Sequence, residues 1–280
     1  MKKFSTTLKN EEINSIAIGG FDGLHIAHQE LISHLGPNGA ILVIDKDSAS
    51  LTPNSHRCKY IKQGCFFLKF EDIKDMSGED FIIYLKKYFI NLKKIVVGYD
   101  FRFGHMAKAD VDDLKRLYEG EVVIVKEVFF DGISVHSRLI REELTLGNIK
   151  TANRLLGRNY EIIGNVIKGQ GLGSKKLFPT INLRCKEFLI PKDGVYATIT
   201  KIGEKSYPSA TFIGQRVSTD GNYSIETHIL DEDIENLPKE ISISFIDFIR
   251  DNRKFKSLET LKKQIKEDLT YAKQFLKEML

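Results

Sequence analysis

Three things are scarce in this chain: cysteine, charge of one sign, and long apolar runs. Its three cysteines, Cys58, Cys65 and Cys185, are an odd number without Cys-x-x-Cys spacing, which argues against a disulfide framework and predicts reduced thiols. The 42 Lys and Arg nearly balance the 38 Asp and Glu, and the formal charge of +4 is spread along the chain rather than gathered in a stripe. A nucleic-acid partner is therefore not expected, although a modest positive potential favours an anion such as ATP. No stretch approaches the roughly 18 to 20 apolar residues that span a bilayer. The Met1-Lys2-Lys3 start has no apolar segment behind it, so the expectation is a cytoplasmic protein without a membrane partner.

What is present divides in two. At 280 residues the chain is long for one domain and comfortable for two, each with its own core. The first half alternates apolar runs (13–18, 40–44, 65–70, 94–98, 121–125) with helical patterns (26–35, 78–88, 109–118, 137–144). That alternation predicts crossover connections and a parallel α/β sheet. After Gly157 strand-like runs (160–167, 194–202, 209–213, 223–229, 240–249) follow one another with turn residues but no helices between them, which predicts an antiparallel sheet closing towards a barrel. A short linking helix is expected over 149–156. A long one over 258–280 carries Leu261, Ile265, Leu269, Ala272 and Leu276 on one face, read as its docking face on the barrel. The domains expected are 1–156 and 157–280.

Several patterns carry chemistry. Gly19-Gly20-Phe21-Asp22-Gly23-Leu24-His25-Ile26-Ala27-His28 follows the first apolar run and enters the first helical one. His25 and His28 then share a face at a helix entrance, beside unpaired backbone N–H groups that glycines let an anion approach. This suits a polyphosphate attacked at its α-phosphate. The run lacks both the Gly-x-Gly-x-x-Gly spacing of a dinucleotide fold and the Gly-Lys-Ser/Thr ending of a P-loop. His-x-x-His without a third ligand nearby is poor evidence for zinc. Asp100 and Arg102 follow the 94–98 strand between Gly98 and Gly104, where a substrate loop is expected. In the second half, Lys168 to Lys176 is a glycine loop with cations, including Gly169, Gly171 and Lys175, able to wrap N–H groups around phosphates. Thr180 and Asn182 offer oxygen ligands two apart on one side of a strand, suited to a magnesium ion bridging ATP phosphates. Glu226 is a carboxylate within an alternating strand, which by itself reads as a solvent-facing residue.

The run around His25 and His28 resembles the Gly-x-Phe-Asp-Gly-x-His-x-Gly-His motif of the bacterial bifunctional riboflavin kinase/FMN adenylyltransferases, the prokaryotic FAD synthetases. The resemblance continues through 97–104, 155–158, Phe178-Pro179-Thr180-Ile181-Asn182, Ile225-Glu226-Thr227-His228, and Arg250 with Phe255. It implies a Rossmann-like nucleotidyltransferase domain followed by a β-barrel riboflavin kinase domain, with ATP, Mg2+ and the flavins riboflavin, FMN and FAD as small-molecule partners. By the same resemblance His25 and His28 stabilise the transferred phosphate, and Gly20, Phe21, Asp22, Ser137, Arg138 and Arg141 hold nucleotide. Asp100, Arg102, Arg250 and Phe255 face flavin, Thr180 and Asn182 hold metal, and Glu226 takes the proton of the ribityl hydroxyl. The chain departs from the family where Ala27 replaces glycine, where Arg138 replaces threonine, where Leu177 replaces the glycine before Phe178, and where Phe212 to Ser218 is eroded. The departures motivate a rival reading, a flavin-binding regulator or a riboflavin kinase with a degenerate adenylyltransferase domain. Adenylyl transfer to another acceptor is a second rival, against which the kinase-like half speaks.

Overall fold

The structure is a computed structural model that describes residues 2–4, 9–168, 178–216, 221–232, 234 and 236–279. It divides into two compact units, 1–137 and 138–280.

The first unit is a six-stranded sheet in the order β1-β4-β3-β2-β5-β6, with β1 Lys2–Phe4, β2 Ser15–Gly19, β3 Gly39–Asp45, β4 Gly64–Lys69, β5 Lys94–Gly98 and β6 Glu121–Val125. Strands β2 to β6 pair in parallel, as expected. Strand β1 joins the edge antiparallel to β4, a feature the sequence pattern did not show because three residues carry no periodicity. The inner strands are apolar because both faces are covered: Ile16, Ala17, Ala40 to Val43 and Ile95 to Val97 are fully buried. Around the sheet lie α1 Ile26–Ser33, α2 Gly78–Tyr88 and α3 Val111–Leu117. Ser77 caps α2 by accepting from the Asp80 N–H, and Asp110 caps α3 by accepting from the Asp112 and Asp113 N–H groups. Because β3 and β4 lie to one side of β2, and β5 and β6 to the other, the chain reverses direction between β2 and β5. At such a reversal the loops leaving neighbouring strand ends part and open a crevice.

One expectation is corrected here. Cys58 and Cys65 are not separate thiols: they form a disulfide between a 3-10 helix, Asn54–Tyr60, and the start of β4. Their Cα atoms are 5.9 Å apart, and both residues are buried in the same apolar cluster. The fold of the connection brings them together, which spacing alone does not reveal. Cys185 is free, and burial raises its thiol pKa.

The second unit opens with α4, Ser137–Leu146, which begins on the last residue of the first unit, and α5, Ile149–Leu156. Gly157, at φ 70°, ends α5 in the left-handed conformation that glycine adopts without strain. A closed antiparallel barrel follows in the order β10-β13-β12-β11-β14-β9, built from β9 Tyr160–Ile167, β10 Ile181–Arg184, β11 Gly194–Ile202, β12 Lys205–Gln215, β13 Tyr223–Ile229 and β14 Glu240–Asp251. Part of its interior is polar. Thr198, Thr200, Ser209, Thr211 and Thr227 are fully buried, and their hydroxyls bond one another at 2.8 to 3.1 Å, so burial leaves them satisfied. A long helix, α6 Leu258–Met279, packs Ala272 and Leu276 against Ala197, Ala210, Leu230 and Ile246, the docking face the sequence predicts.

Candidate active sites

In the first unit the loops leaving β2 and β5 border a cavity of about 290 Å³. Gly20, Phe21, His25, His28, Asp100 and Ser137 line it, bringing together six of the residues picked out from the sequence. His25 is the residue before the first turn of α1, with an extended backbone (φ −69°, ψ 173°), and His28 lies one turn on. Their rings stack 3.6 Å apart, and Phe21 packs against His28 at 5.1 Å. The stack fixes two imidazoles side by side where the N–H groups of the first helical turn point outward, an arrangement that meets phosphate charge with donors and a positive helix end. The loop is strained: Phe21 and Leu24 take φ of 50° and 40°, in the left-handed region, although neither is glycine. Such conformations cost of order 1 to 3 kcal/mol each and persist only where the surroundings hold them.

Asp22 is among those surroundings rather than in the cavity wall. Its carboxylate accepts from the N–H groups of Ser50, Leu51 and Thr52 at 3.3, 3.0 and 3.0 Å. Its carbonyl accepts from the Ser137 hydroxyl at 2.7 Å, which ties the start of α4 to the loop. Arg102 is not a cavity-lining residue either; it pairs with Asp110 at 3.3 Å on the exposed surface. Arg138 is exposed and pairs with Glu142 at 3.4 Å along α4, and Arg141 lies on the same helix. The cavity also presents groups the sequence did not single out: Tyr99, Lys126, Glu127 and His136. Desolvation first, then the neighbouring Glu127 carboxylate, raises the Tyr99 phenol above its ordinary value. His136 was discoverable, because it stands beside Ser137 in a run already under suspicion. Tyr99 was discoverable in the same way, beside Asp100 in the 97–104 run; Lys126 and Glu127 have no such marker.

In the second unit, Asn182 of β10 stands opposite Glu226 of β13, so the two side chains share one face of the barrel wall. Thr180, just before β10, donates to the Glu226 carboxylate at 3.4 Å. The other carboxylate oxygen accepts from Arg216 at 3.1 Å. The His228 ring nitrogen Nδ1 bonds the Pro179 carbonyl at 2.6 Å, and its ring packs edge-on to Phe178. The sequence therefore located Thr180, Asn182 and Glu226 together, and missed Arg216, whose partner is ten residues away on the next strand. Arg250 is locked to buried Asp268 through three bonds of 2.7 to 3.0 Å, with its guanidinium 5.6 Å over the Phe255 ring. Gly169, Gly171, Lys175 and Leu177 lie outside the described residues.

Among the described residues no helix is long and apolar enough to cross a membrane, and no group of three or more His, Cys, Asp or Glu side chains gathers as a metal site. Two family models match: "FAD synthetase" over residues 36–139 and "Riboflavin kinase" over 156–276. The chain is 32% identical to a bifunctional riboflavin kinase/FMN adenylyltransferase of Buchnera aphidicola subsp. Acyrthosiphon pisum, with 95% of each chain covered. It is 31% identical to the same enzyme of Listeria monocytogenes, covering 94% of this chain and 93% of that one. It is also similar to a crystal structure described as a macrolide-efflux protein from Streptococcus pneumoniae, with a TM-score of 0.83, 27% identity, and coverage of 93% and 94%.

Proposed function

The chain belongs to the bifunctional riboflavin kinase/FMN adenylyltransferase family, and from that premise we propose how its residues divide the two reactions. The enzyme serves FAD biosynthesis: it phosphorylates riboflavin to FMN with ATP and adenylylates FMN to FAD with a second ATP. We assign adenylyl transfer to residues 1–156 and phosphoryl transfer to 157–280, and we place the enzyme in the cytoplasm. The observation that supports the division is the presence of two separate constellations in different compact units, 1–137 and 138–280, which group residues 138–156 with the barrel and not with the parallel sheet. Stacked His25 and His28 line a cavity at the ends of a parallel sheet, and Glu226 faces Thr180 and Asn182 on a barrel wall.

In adenylyl transfer an FMN phosphate oxygen attacks the α-phosphorus of ATP, and pyrophosphate leaves. His25, His28 and the first N–H groups of α1 receive the charge that builds on the α-phosphate oxygens, while Gly20 and Phe21 let the chain pass close beside it. No covalent enzyme intermediate is required, and the catalysis is positioning with electrostatic stabilisation. Arg138 and Arg141 supply cations for the triphosphate, with Arg138 replacing the family's hydroxyl by a guanidinium able to bond phosphate bidentately. Asp100, which lines the cavity, serves the flavin side of this pocket, whereas Arg102 is held outside it by Asp110.

In phosphoryl transfer the ribityl 5′-hydroxyl attacks the γ-phosphorus of ATP, the bond to the β-phosphate oxygen breaks and ADP leaves, and Glu226 accepts the hydroxyl proton. The donor set fits magnesium, since the Thr180 hydroxyl and the Asn182 amide offer hard oxygens beside the Glu226 carboxylate, which is kept for the proton. Bound there, Mg2+ neutralises phosphate charge. Arg216 fixes one Glu226 oxygen and leaves the carboxylate turned towards Thr180. Gly169, Gly171 and Lys175 hold ATP phosphates, and Arg250, itself held by Asp268, presents Phe255 to the flavin.

The experiment that tests the division is His28→Ala, assayed on riboflavin with Mg-ATP. FMN is expected to accumulate at the parent rate with no FAD. Equal loss of both products would refute separate sites.

A further inference from the structure

Among the described residues Arg57 is a large side chain that is fully buried, 2% exposed, on the 3-10 helix between β3 and β4. A guanidinium keeps its charge when buried only at a large desolvation cost, so its acceptors identify what the burial achieves. Its Nε donates to the Thr52 carbonyl at 3.0 Å, one terminal nitrogen to the Gly20 carbonyl at 3.2 Å, and the other to the Asp45 carboxylate at 3.4 Å. The plane lies 5.5 Å over the Phe67 ring. Burial pulls its pKa below the ordinary value, against the opposing pull of Asp45 and Asp22.

Two of those acceptors belong to one device. Gly20 begins the loop that holds Phe21 and Leu24 at positive φ and leads into His25. Thr52 is bonded to the far side of that loop, since its hydroxyl accepts from the Gly23 N–H at 2.8 Å and its own N–H donates to Asp22. Arg57 therefore clamps both ends of a strained four-residue turn, and the Cys58–Cys65 disulfide on the adjacent residue fastens the clamp to β4. It is not among the residues that line the cavity.

We propose that Arg57 is a positioning residue for adenylyl transfer: through Gly20 and Thr52 it holds the Gly20–His28 loop in the geometry in which the two histidines meet the α-phosphate. This rests on reading that loop as the adenylyl-transfer site. A loop displaced by even about an ångström loses alignment of the reacting phosphate, which costs about a hundredfold in rate while leaving the flavin side able to bind. Lysine retains the charge but presents no planar fork able to reach three acceptors at once.

The test compares Arg57→Met, Arg57→Lys and His28→Ala, measuring kcat and KM for FAD formation from FMN, FMN formation from riboflavin, and the folded fraction of each variant at the assay temperature. Arg57→Met is expected to lower kcat for FAD formation by about ten- to a hundredfold with KM for FMN within about twofold of the parent. Arg57→Lys should recover part of that loss, and both should phosphorylate riboflavin at the parent rate. A folded Arg57→Met, or a folded Arg57→Lys where the former does not fold, with parent kcat while His28→Ala makes no FAD overturns the proposal. So does a loss that follows the unfolded fraction in both variants, which would make Arg57 a folding residue only. If His28→Ala itself makes FAD at the parent rate, the reading of the loop as the adenylyl-transfer site is what fails.

Discussion

Replacing Glu226 by glutamine removes a base while keeping the side chain's shape. In the structure one carboxylate oxygen accepts from Arg216 at 3.1 Å and the other from Thr180 at 3.4 Å, with Asn182 directly across the strand pair. The amide oxygen of glutamine can still accept from Arg216, so the folding cost is the difference between a charged and a neutral acceptor in a half-buried pair, about 1 kcal/mol. In a unit of this size that lowers the unfolding midpoint by about 2 to 4 °C. The catalytic cost is larger. A positioned general base contributes about 10² to 10⁴ in rate, or roughly 3 to 5 kcal/mol of barrier. The assay takes initial rates of FMN formation from riboflavin and of FAD formation from supplied FMN on one sample. The first should fall by about 10² or more and the second should hold. Riboflavin phosphorylation at the parent rate would reduce Glu226 to an ordinary strand residue; an equal fall in both rates would place the defect in folding.

Other outcomes follow from the same geometry. Arg138→Ala should weaken adenylyl transfer by about 1.5 to 3 kcal/mol in kcat/KM for ATP without touching the kinase, and faster FAD formation would show instead that the guanidinium obstructs the phosphates. Reduction of Cys58–Cys65, seven residues apart, should cost the first unit about 2 kcal/mol by freeing a closed loop in the unfolded chain, read as a lower unfolding midpoint in dithiothreitol; an unchanged midpoint contradicts it. A fragment beginning at Asn148 should fold and phosphorylate riboflavin, whereas one beginning at Tyr160 should be less stable. It loses the buried face of α5, Ile149, Ala152, Leu155 and Leu156, and the Asn153 bond to the Phe245 carbonyl at 2.9 Å. Equal midpoints for the two fragments would show that α5 is dispensable to the barrel.

Where a segment's burial is periodic, the sequence already contains it. Strands β5, β6, β9, β11 and β13 and helices α2 and α5 begin and end at the residues that alternation and capping mark. Strand β12 runs beyond 209–213 to Lys205–Gln215 because its ends pair with β11 and β13 through the backbone, which no side-chain pattern records. The two-residue strands Phe129–Phe130 and Ile133–Ser134 are too short for any period. The candidate sites were legible where residue types are unusual for their surroundings, as with His25 and His28 at a glycine-bordered helix entrance; Glu226 reads by itself as a solvent-facing strand residue and was marked only by the resemblance of its Ile225-Glu226-Thr227-His228 run. Arg57 was not, since a cation among Asn54, Ser55, His56 and Lys59 reads as surface, and only the fold turns it inward. Asp268 was hidden in the same way. It interrupts the apolar face of α6 to meet Arg250, which thereby acquires a buried partner that the sequence reading did not assign.

The central claim is that one chain carries riboflavin through FMN to FAD. The direct measurement is a time course of the purified parent protein with riboflavin, magnesium and ATP, with the flavins separated at each point. FMN should rise first and then fall as FAD replaces it, with one pyrophosphate released per FAD. FMN that accumulates to completion, with neither FAD nor pyrophosphate, would contradict the claim and leave a riboflavin kinase joined to a silent adenylyltransferase domain.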